Sequence, residues 1–330
     1  MKKTYLKKAG SFLMQFAGLA FLMAVFAIAS GGASLSARNM RLILEQSIIL
    51  IFASTGLMFV MTMGMMDLSV GAGIGMCCLV IAKACSVNIP LGLVCGLLTG
   101  LLIGLINGWL TAKLKIGSFL ATLCMRYILT GLLVQFISKE AVTVPFALYA
   151  ADKFSYKLIG LVVCLVLAGF LFNNTPFGSK VRMIGSNENA AFYTGIHVTR
   201  VKIICYVLCG FFVSVAAFLT AIRTGTAAVN TGSDMMFNAM IALVMGGFPA
   251  GGGSKVRFSA PIIGGIMMQV LSNGLTILGM NATLQQFLKG GLFLVIVILV
   301  SQRENTEFIQ RIKNRISIHK SREATQKEGI

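Results

Sequence analysis

The chain has 330 residues, of which 57% are hydrophobic and only 12% are charged, and its mean hydropathy is +0.87. These values exclude a water-soluble globular domain and indicate a polytopic membrane protein. The formal net charge of +18 does not indicate nucleic-acid binding, because the 28 Lys and Arg residues are spread along the chain instead of being gathered on one soluble domain.

Apolar runs long enough to cross a bilayer follow one another along almost the whole chain. A bilayer core about 30 Å thick requires about 20 apolar residues per helix, and helices satisfy their own backbone polar groups in lipid. We therefore predict an all-α, polytopic membrane protein with about ten transmembrane helices. The eighth run is too short to cross comfortably and ends in the sequence MGGFPAGGG, so its boundaries are open. The predicted spans are residues 12–30, 42–63, 68–86, 90–112, 118–137, 157–173, 201–222, 237–248, 258–279 and 284–301.

The basic residues indicate how these spans are oriented. With the N-terminus in the cytoplasm and ten crossings, nineteen Lys and Arg residues fall in inside segments and seven in outside segments. Cytoplasmic loops carry such an excess, so we predict that both termini are cytoplasmic. The first span follows a basic start but is long and lacks a clear cleavage site, so we expect it to be retained. The predicted domains are a transmembrane domain, 1–302, and a basic cytoplasmic tail, 303–330.

Asp67 lies at the inner junction of the second and third predicted spans, in the sequence MMDLSVG. Its simplest role is the N-cap of the third span, where it would accept a backbone N–H that lipid cannot satisfy. Direct participation in a transport pathway is the alternative. A carrier driven by protons or sodium needs ionisable groups near the membrane midplane, and the ten acidic residues do not supply a convincing one.

The fourth predicted span carries glycines at strict four-residue intervals. This spacing places them on one face of a helix, which then has no side chains along a stripe. In lipid such a stripe allows another backbone to approach closely. A tight fixed contact and a sliding or gating face are both compatible with it. The stripe consists of Gly92, Gly96, Gly100, Gly104 and Gly108.

The fifth predicted span contains Arg126 near its centre. A charged residue there costs about 2.5 to 3.5 kcal/mol on insertion scales. We therefore expect Arg126 to face protein or a wet pathway, and both substrate contact and structural pairing fit. With Asp67 and Asn107, Arg126 makes up the set of residues that we predict as candidates for a translocation pathway.

The sequence indicates no metal site, cofactor or catalytic set. Its eight cysteines fall in or at the ends of apolar spans without two-residue spacing, which is typical of small hydrophobic residues. His197 and His319 stand alone, so they offer no metal-ligand set. The sequence GGGSKV has its Ser before its Lys and does not match a phosphate-binding loop. The chain is therefore not predicted to be an enzyme, and any ATPase that drives transport would be a separate subunit.

Such a subunit needs a cytoplasmic surface, and the longest predicted inside loop, 173–200, contains the sequence GSNENAAFYTGI. It predicts a short helix over about residues 186–196. Ser186 is suited to cap the start of this helix, and the negative charge of Glu188 suits its first turn. Gly195 can adopt the left-handed conformation that ends a helix.

The composition of this short helix is suited to a partner's groove. Ala190 and Ala191 leave it narrow, and we expect their surface to lie against the partner. Phe192 and Tyr193 are expected to project as anchors. A solvated surface helix is the alternative interpretation.

The same stretch resembles the cytoplasmic coupling motif of ABC importer permeases, which is Glu-Ala-Ala, three residues, then Gly. Here Asn189 stands in the Glu position, followed by Ala190, Ala191 and Gly195. The sequences MDLSVG, INGWLTAKLKIGSFLATL and IALVMGGFPAGGG are similar to the monosaccharide-type permeases of this class, which include ribose, galactose and xylose importers. The resemblance covers roughly residues 45–301, in order.

The resemblance implies a permease of about ten helices in the bacterial cytoplasmic membrane. It would pair with a second permease subunit, identical or related, two cytoplasmic ATPase domains and an extracytoplasmic solute-binding protein, without a cofactor. The coupling helix would transmit closure of the ATPases to the membrane helices. A branched-chain amino-acid or nucleoside ABC permease is the nearest alternative, and an ion-coupled secondary carrier is a more distant one. The sequence does not identify the transported solute or the binding protein.

Overall fold

A computed structural model of the chain describes residues 2–137, 141–249, 251–295 and 298. The first of two compact units, Met1–Asn281, contains eleven α-helices within its described residues. In the second, Ala282–Ile330, residues 282–295 are helical; the predicted tail 303–330 lies outside the described residues. The helices of the first unit are α1 (Lys2–Ala29), α2 (Ala37–Thr62), α3 (Val70–Cys85), α4 (Ile89–Ala112), α5 (Ser118–Phe136), α6 (Phe154–Asn174), α7 (Pro176–Ser186), α8 (Glu188–Tyr193), α9 (Val198–Thr224), α10 (Met235–Met245) and α11 (Ala260–Ile277).

Six helices in the described part of the chain are long and apolar enough to cross a membrane, namely α2, α4, α5, α6, α9 and α11. Shorter apolar helices are Phe16–Ala29, α3 and α10. Two short strands, β1 (Val142–Thr143) and β2 (Thr226–Ala227), pair antiparallel with Val142 opposite Ala227. The chain is therefore a multi-pass, helical membrane protein.

Helix α9 forms the centre of the first unit and packs against α2, α3 and α4. An aromatic cluster joins it to α2 and α6. The ring of Phe59 meets the ring of Phe172 edge-on at 5.7 Å and stacks on that of Phe212 at 6.4 Å. All three side chains are almost fully buried. Aromatic pairs of this geometry contribute stabilisation beyond the area they bury.

The glycine stripe of α4 lies against the backbones or side chains of two neighbouring helices. A Cβ placed on Gly92 or Gly96 would collide with α3, at Cys85 and Ile81 respectively. Further along, Gly100, Gly104 and Gly108 lie against α9. The glycine stripe of α4 therefore contacts two helices: two of its glycines lie against α3 and three lie against α9.

Two features of the fold differ from the sequence prediction. The predicted loop 173–200 holds two helices rather than one, because Pro176 begins the additional helix α7 immediately after α6. The eighth predicted span, 237–248, is the helix α10, which ends at Met245. Its end is set by Gly246 and by Gly247, whose φ of +80° does not continue a right-handed helix.

Candidate functional site

Helix α8 is short and has defined caps at both ends. Asn187, not Ser186, is its N-cap, and the side-chain oxygen of Asn187 accepts a hydrogen bond from the Ala190 amide at 2.9 Å. The prediction of Ser186 as the cap was wrong because α7 continues through Ser186. Gly195 has φ +82°, as predicted, and the amide of Ile196 donates to the Ala191 carbonyl at 3.3 Å. This arrangement satisfies carbonyls at the helix end.

The exposed face of α8 differs in one residue from the prediction. Ala191 points into the protein and is 1% exposed, so it is not available to line a partner's groove. Asn189 and Ala190 are exposed. Phe192 and Tyr193 are 65% and 85% exposed, with their rings 5.8 Å apart at a steep angle. Two adjacent exposed aromatic rings on one short helix form an apolar projection of the kind found at interface anchors.

Helix α7 ties α8 to the ends of the membrane helices. Gly185 lies directly on the carbonyl oxygen of Thr62, at the end of α2. The hydroxyl of Ser186 accepts a hydrogen bond from the Ser254 amide at 3.0 Å, in the segment before α11. Arg182 donates to the Phe172 carbonyl at 2.7 Å, in α6. Helix α7 therefore contacts the ends of α2 and α6 and the segment leading to α11, so a displacement of α7 would also move or strain these parts of the chain.

Helix α8 is also joined to α9. The ammonium group of Lys202 lies 2.6 Å from a carboxylate oxygen of Glu188. The pair borders a cavity of about 620 Å³ between α8, the start of α9 and the turn from α4 to α5. Lys115 in that turn has φ +56°, a left-handed conformation that is uncommon for a residue with a side chain. Phe192 of α8 also borders this cavity.

A buried polar cluster connects the segment 63–69 with α4. A carboxylate oxygen of Asp67 accepts hydrogen bonds from the Ser69 amide at 2.9 Å and the Ser69 hydroxyl at 2.6 Å. The amide group of Asn107 donates to the same hydroxyl at 2.8 Å. Asp67 was predicted to be the N-cap of the third span, but Ser69 occupies the N-cap position of α3. Asp67 instead accepts hydrogen bonds from the backbone amide and the hydroxyl of Ser69, the residue that precedes α3.

The electrostatics of the cluster follow from its burial. Desolvation raises the pKa of the Asp67 carboxyl, and hydrogen bonds from Ser69 and Asn107 act in the opposite direction. The side-chain carbonyl oxygen of Asn107 is fully buried and has no hydrogen-bond partner among the described residues. Asp67 and Asn107, both predicted as pathway candidates, are thus brought together through Ser69.

Arg126 makes no hydrogen bond to Asp67, Ser69 or Asn107 in the described part of the chain. It is half-buried on α5, and its guanidinium forms no hydrogen bond or ion pair in the described part of the chain. Neighbouring Met125 and Leu129 on α5 instead pack with Ala72 and Ile103. The intermediate exposure of Arg126 agrees with neither a fully buried structural pair nor an open position in lipid.

Several residues of the site were not singled out from the sequence. Ser69 bridges Asp67 and Asn107, and the hydroxyl of Thr122 accepts a hydrogen bond from the Leu68 amide at 3.0 Å. The hydroxyl of Tyr206 donates to the Met66 carbonyl at 3.1 Å. These contacts join residues far apart in sequence, so spacing alone does not reveal them. Helix α7 did have a signal, because Pro176 is suited to the first turn of a helix.

A multi-pass helical bundle that carries a short helix with exposed aromatic side chains is suited to act as the membrane subunit of a multi-component assembly. Residues 39–297 match the family described as branched-chain amino acid transport system / permease component. The chain belongs to this family. It is accordingly a non-catalytic permease component of a transport system.

Similar proteins extend over nearly the whole chain. A ribose import permease of Bacillus subtilis (strain 168) is 33% identical over 304 residues, which cover 89% of this chain and 92% of that protein. A xylose transport system permease of Haemophilus influenzae is 28% identical, with coverage of 84% and 93%. An L-arabinose ABC transporter permease of Azospirillum brasilense is 29% identical, with coverage of 91% and 88%. No solved structure matches the chain.

Proposed function

We propose that this chain is the permease subunit of an ATP-driven importer of the ABC type and forms the translocation pathway for a monosaccharide. The similar proteins named for ribose, xylose and L-arabinose support a pentose or a sugar of similar size. The observation that carries the coupling role is the position of Phe192 and Tyr193, which are exposed on a helix that the rest of the chain holds firmly.

In the proposed mechanism, α8 is the contact for a cytoplasmic ATPase. The ATPase groove would receive Phe192 and Tyr193, together with the exposed Asn189 and Ala190. Movement of the bound α8 would pass to α2 and α11 through α7, and to α9 through the Lys202 and Glu188 pair. Gly195 would set the angle between α8 and α9. No step in this scheme changes the solute chemically.

The remaining parts of the assembly follow the permease class. We propose about ten membrane crossings, both termini in the cytoplasm, and a location in the bacterial inner membrane. A second permease subunit, two ATPase domains and an extracytoplasmic solute-binding protein would complete the transporter. Asp67, Asn107 and Arg126 remain proposed pathway residues. For the first two, the buried cluster with Ser69 favours a role in holding the α2 to α3 segment over direct solute contact.

The contact role of α8 is tested by replacing its exposed aromatic residues. Phe192→Ala with Tyr193→Ala is expected to abolish ATPase association and ATP-driven sugar uptake while the permease still inserts and elutes as a single species. Phe146→Ala is the matched control, because Phe146 is 88% exposed in the segment between α5 and α6. Normal ATPase association in the double variant would show that α8 is only a solvated surface helix.

The turn at Gly195 provides a second test. Nothing lies within 4 Å of a Cβ added at Gly195, so Gly195→Val acts through backbone strain at φ +82° and not through collision. Strain of this kind costs about 1–3 kcal/mol, and we expect weaker ATPase association and loss of uptake. Gly160→Val is the control, because Gly160 also has open space but lies within the right-handed helix α6 and away from α8. Equal uptake in both variants would contradict the coupling role.

The solute class is tested by uptake into vesicles that contain the complete transporter. Ribose, xylose and arabinose are compared with leucine and a nucleoside, each with its binding protein present. Uptake of leucine or the nucleoside alone would favour the alternative permease classes. Uptake by the isolated chain along a sodium or proton gradient would favour a secondary carrier.

A further inference from the structure

A second cavity, of about 320 Å³, lies beside the end of α8 on the face formed by α7 and the start of α9. Four of its lining residues come from α9 and the residue before it: His197, Arg200, Val201 and Ile204. Their spacing of three, four and seven residues from the first places them on one helix face. Along this face, the side chains change from basic at the helix start to apolar one turn further on.

Helix α7 contributes the opposite wall, with Phe177 and Lys180 three residues apart. The ring of Phe177 lies 6.5 Å from the ring of Phe59, which fixes the apolar side of the wall. Gly195, the residue that ends α8, also lines the cavity. Each of the two helices therefore contributes both a basic and an apolar side chain to the cavity: Lys180 and Phe177 from α7, and Arg200 and Ile204 from α9.

The cations at this cavity have no acidic partner in the described part of the chain. Neither Lys180 nor Arg200 forms a hydrogen bond or ion pair there, and both are exposed. Lys202 differs, because Glu188 neutralises it at 2.6 Å on the other side of α8. The positive end of the 27-residue helix α9 adds to the charge. The second cavity therefore has two cations without an acidic partner, whereas one of the two lysines at the larger cavity, Lys202, is paired with Glu188.

The apolar part of the cavity continues onto an exposed part of α9. Val201 is buried and forms part of the cavity wall, whereas Ile204, one turn further along α9, is 46% exposed. An apolar side chain exposed on a membrane-crossing helix is a surface for lipid tails. A ligand with an anionic head and an apolar tail matches both the basic start and the apolar continuation of this face.

We propose that this cavity binds an anionic phospholipid, with its phosphate between Lys180 and Arg200 and an acyl chain along Ile204. Basic pockets between membrane helices have this chemistry. A soluble phosphate would use only the basic end and would leave the apolar continuation without a role. Because Gly195 lines the cavity, the bound lipid would hold α7, the end of α8 and the start of α9 in one arrangement.

The test uses the full-length permease in nonionic detergent and a fluorescent phosphatidylglycerol as the probe. Unlabelled phosphatidylglycerol, phosphatidylcholine and inorganic phosphate are the competitors. We expect phosphatidylglycerol to compete well and the other two poorly. Lys180→Gln with Arg200→Gln should weaken binding about fivefold for each cation removed. Lys113→Gln with Lys115→Gln removes the same charge elsewhere and should leave binding unchanged.

Three results would overturn the proposal. If phosphatidylcholine competes as well as phosphatidylglycerol, the negative charge of the headgroup does not contribute to binding. If inorganic phosphate competes at a similar concentration, the cavity binds a soluble anion and not a lipid. An equal loss in the two double variants would indicate attraction to net charge alone. If the Lys180 and Arg200 variant does not purify as a folded protein, the wild-type protein still provides the test. Its phosphatidylglycerol affinity must then fall with rising salt concentration, because exposed charges are screened.

Discussion

The close contact between α4 and α9 predicts that a side chain at Gly100 destabilises the protein. A Cβ added there would lie 2.7 Å from the Cβ of Ser214 and closer still to the carbonyl oxygen of Gly210. Carbon atoms in contact prefer about 3.5–4.0 Å, so the two helices must separate by about 1 Å or bend. Overpacking of this kind costs about 1–3 kcal/mol. We expect Gly100→Ala to lower the free energy of unfolding by that amount.

The assay is reversible unfolding in mixed micelles, with Gly131→Ala as the control. Gly131 lies on α5 with no atom within 4 Å of an added Cβ, so alanine there should be neutral or stabilise by up to about 1 kcal/mol through helix propensity. A Gly100→Ala protein as stable as wild type, with the control behaving as expected, would refute the argument from close backbone approach.

A double-mutant cycle sharpens this test. Gly210 on α9 is the reciprocal of Gly100, since a Cβ on either residue meets the other's carbonyl oxygen. Once Gly100→Ala has separated the helices, Gly210→Ala should cost less than it does alone. We expect a coupling of about 0.5–3 kcal/mol, as for residues in direct contact. Strict additivity would mean that the two glycines are not in contact.

Three further predictions follow from the site and the topology. Burial raises the folded-state pKa of Asp67 above its ordinary value, so the contribution of this carboxyl to stability falls as pH rises from the unfolded pKa through the folded one. Asp67→Asn should therefore raise the thermal midpoint more at pH 8 than at pH 4, near the unfolded pKa of about 3.9, and an equal shift at both would contradict this. Lys202→Met removes the ion pair with the exposed carboxylate of Glu188 and should cost about 0.2–1 kcal/mol, a difference that must shrink in high salt. Reporter fusions at Lys320, in the predicted tail, should be active only as cytoplasmic reporters, and activity outside the membrane would contradict ten crossings.

Much of the architecture could be predicted from the sequence because lipid leaves few choices. Backbone polar groups in a bilayer must be satisfied within a segment, so long apolar runs predict helices, and the helix bounds of α4 and α5 agree with the prediction within a residue. The left-handed conformation of Gly195 was also predictable, because it depends only on the local need for a glycine where a helix ends. The start of α8 was not, since Ser186 and Asn187 are both good caps and the length of α7 decides between them.

The sequence by itself determined that the chain is a helical, multi-pass membrane protein, where its glycine stripe runs, and which loop carries the short helix. These properties depend on composition, period and local conformation. Only the tertiary structure decided which helices the stripe meets, that Ala191 faces inward, and that Ser69 joins Asp67 to Asn107. It also placed Lys180 opposite Arg200 around one cavity. Such contacts link residues far apart in the chain, and no spacing along one helix records which face of another helix lies against it.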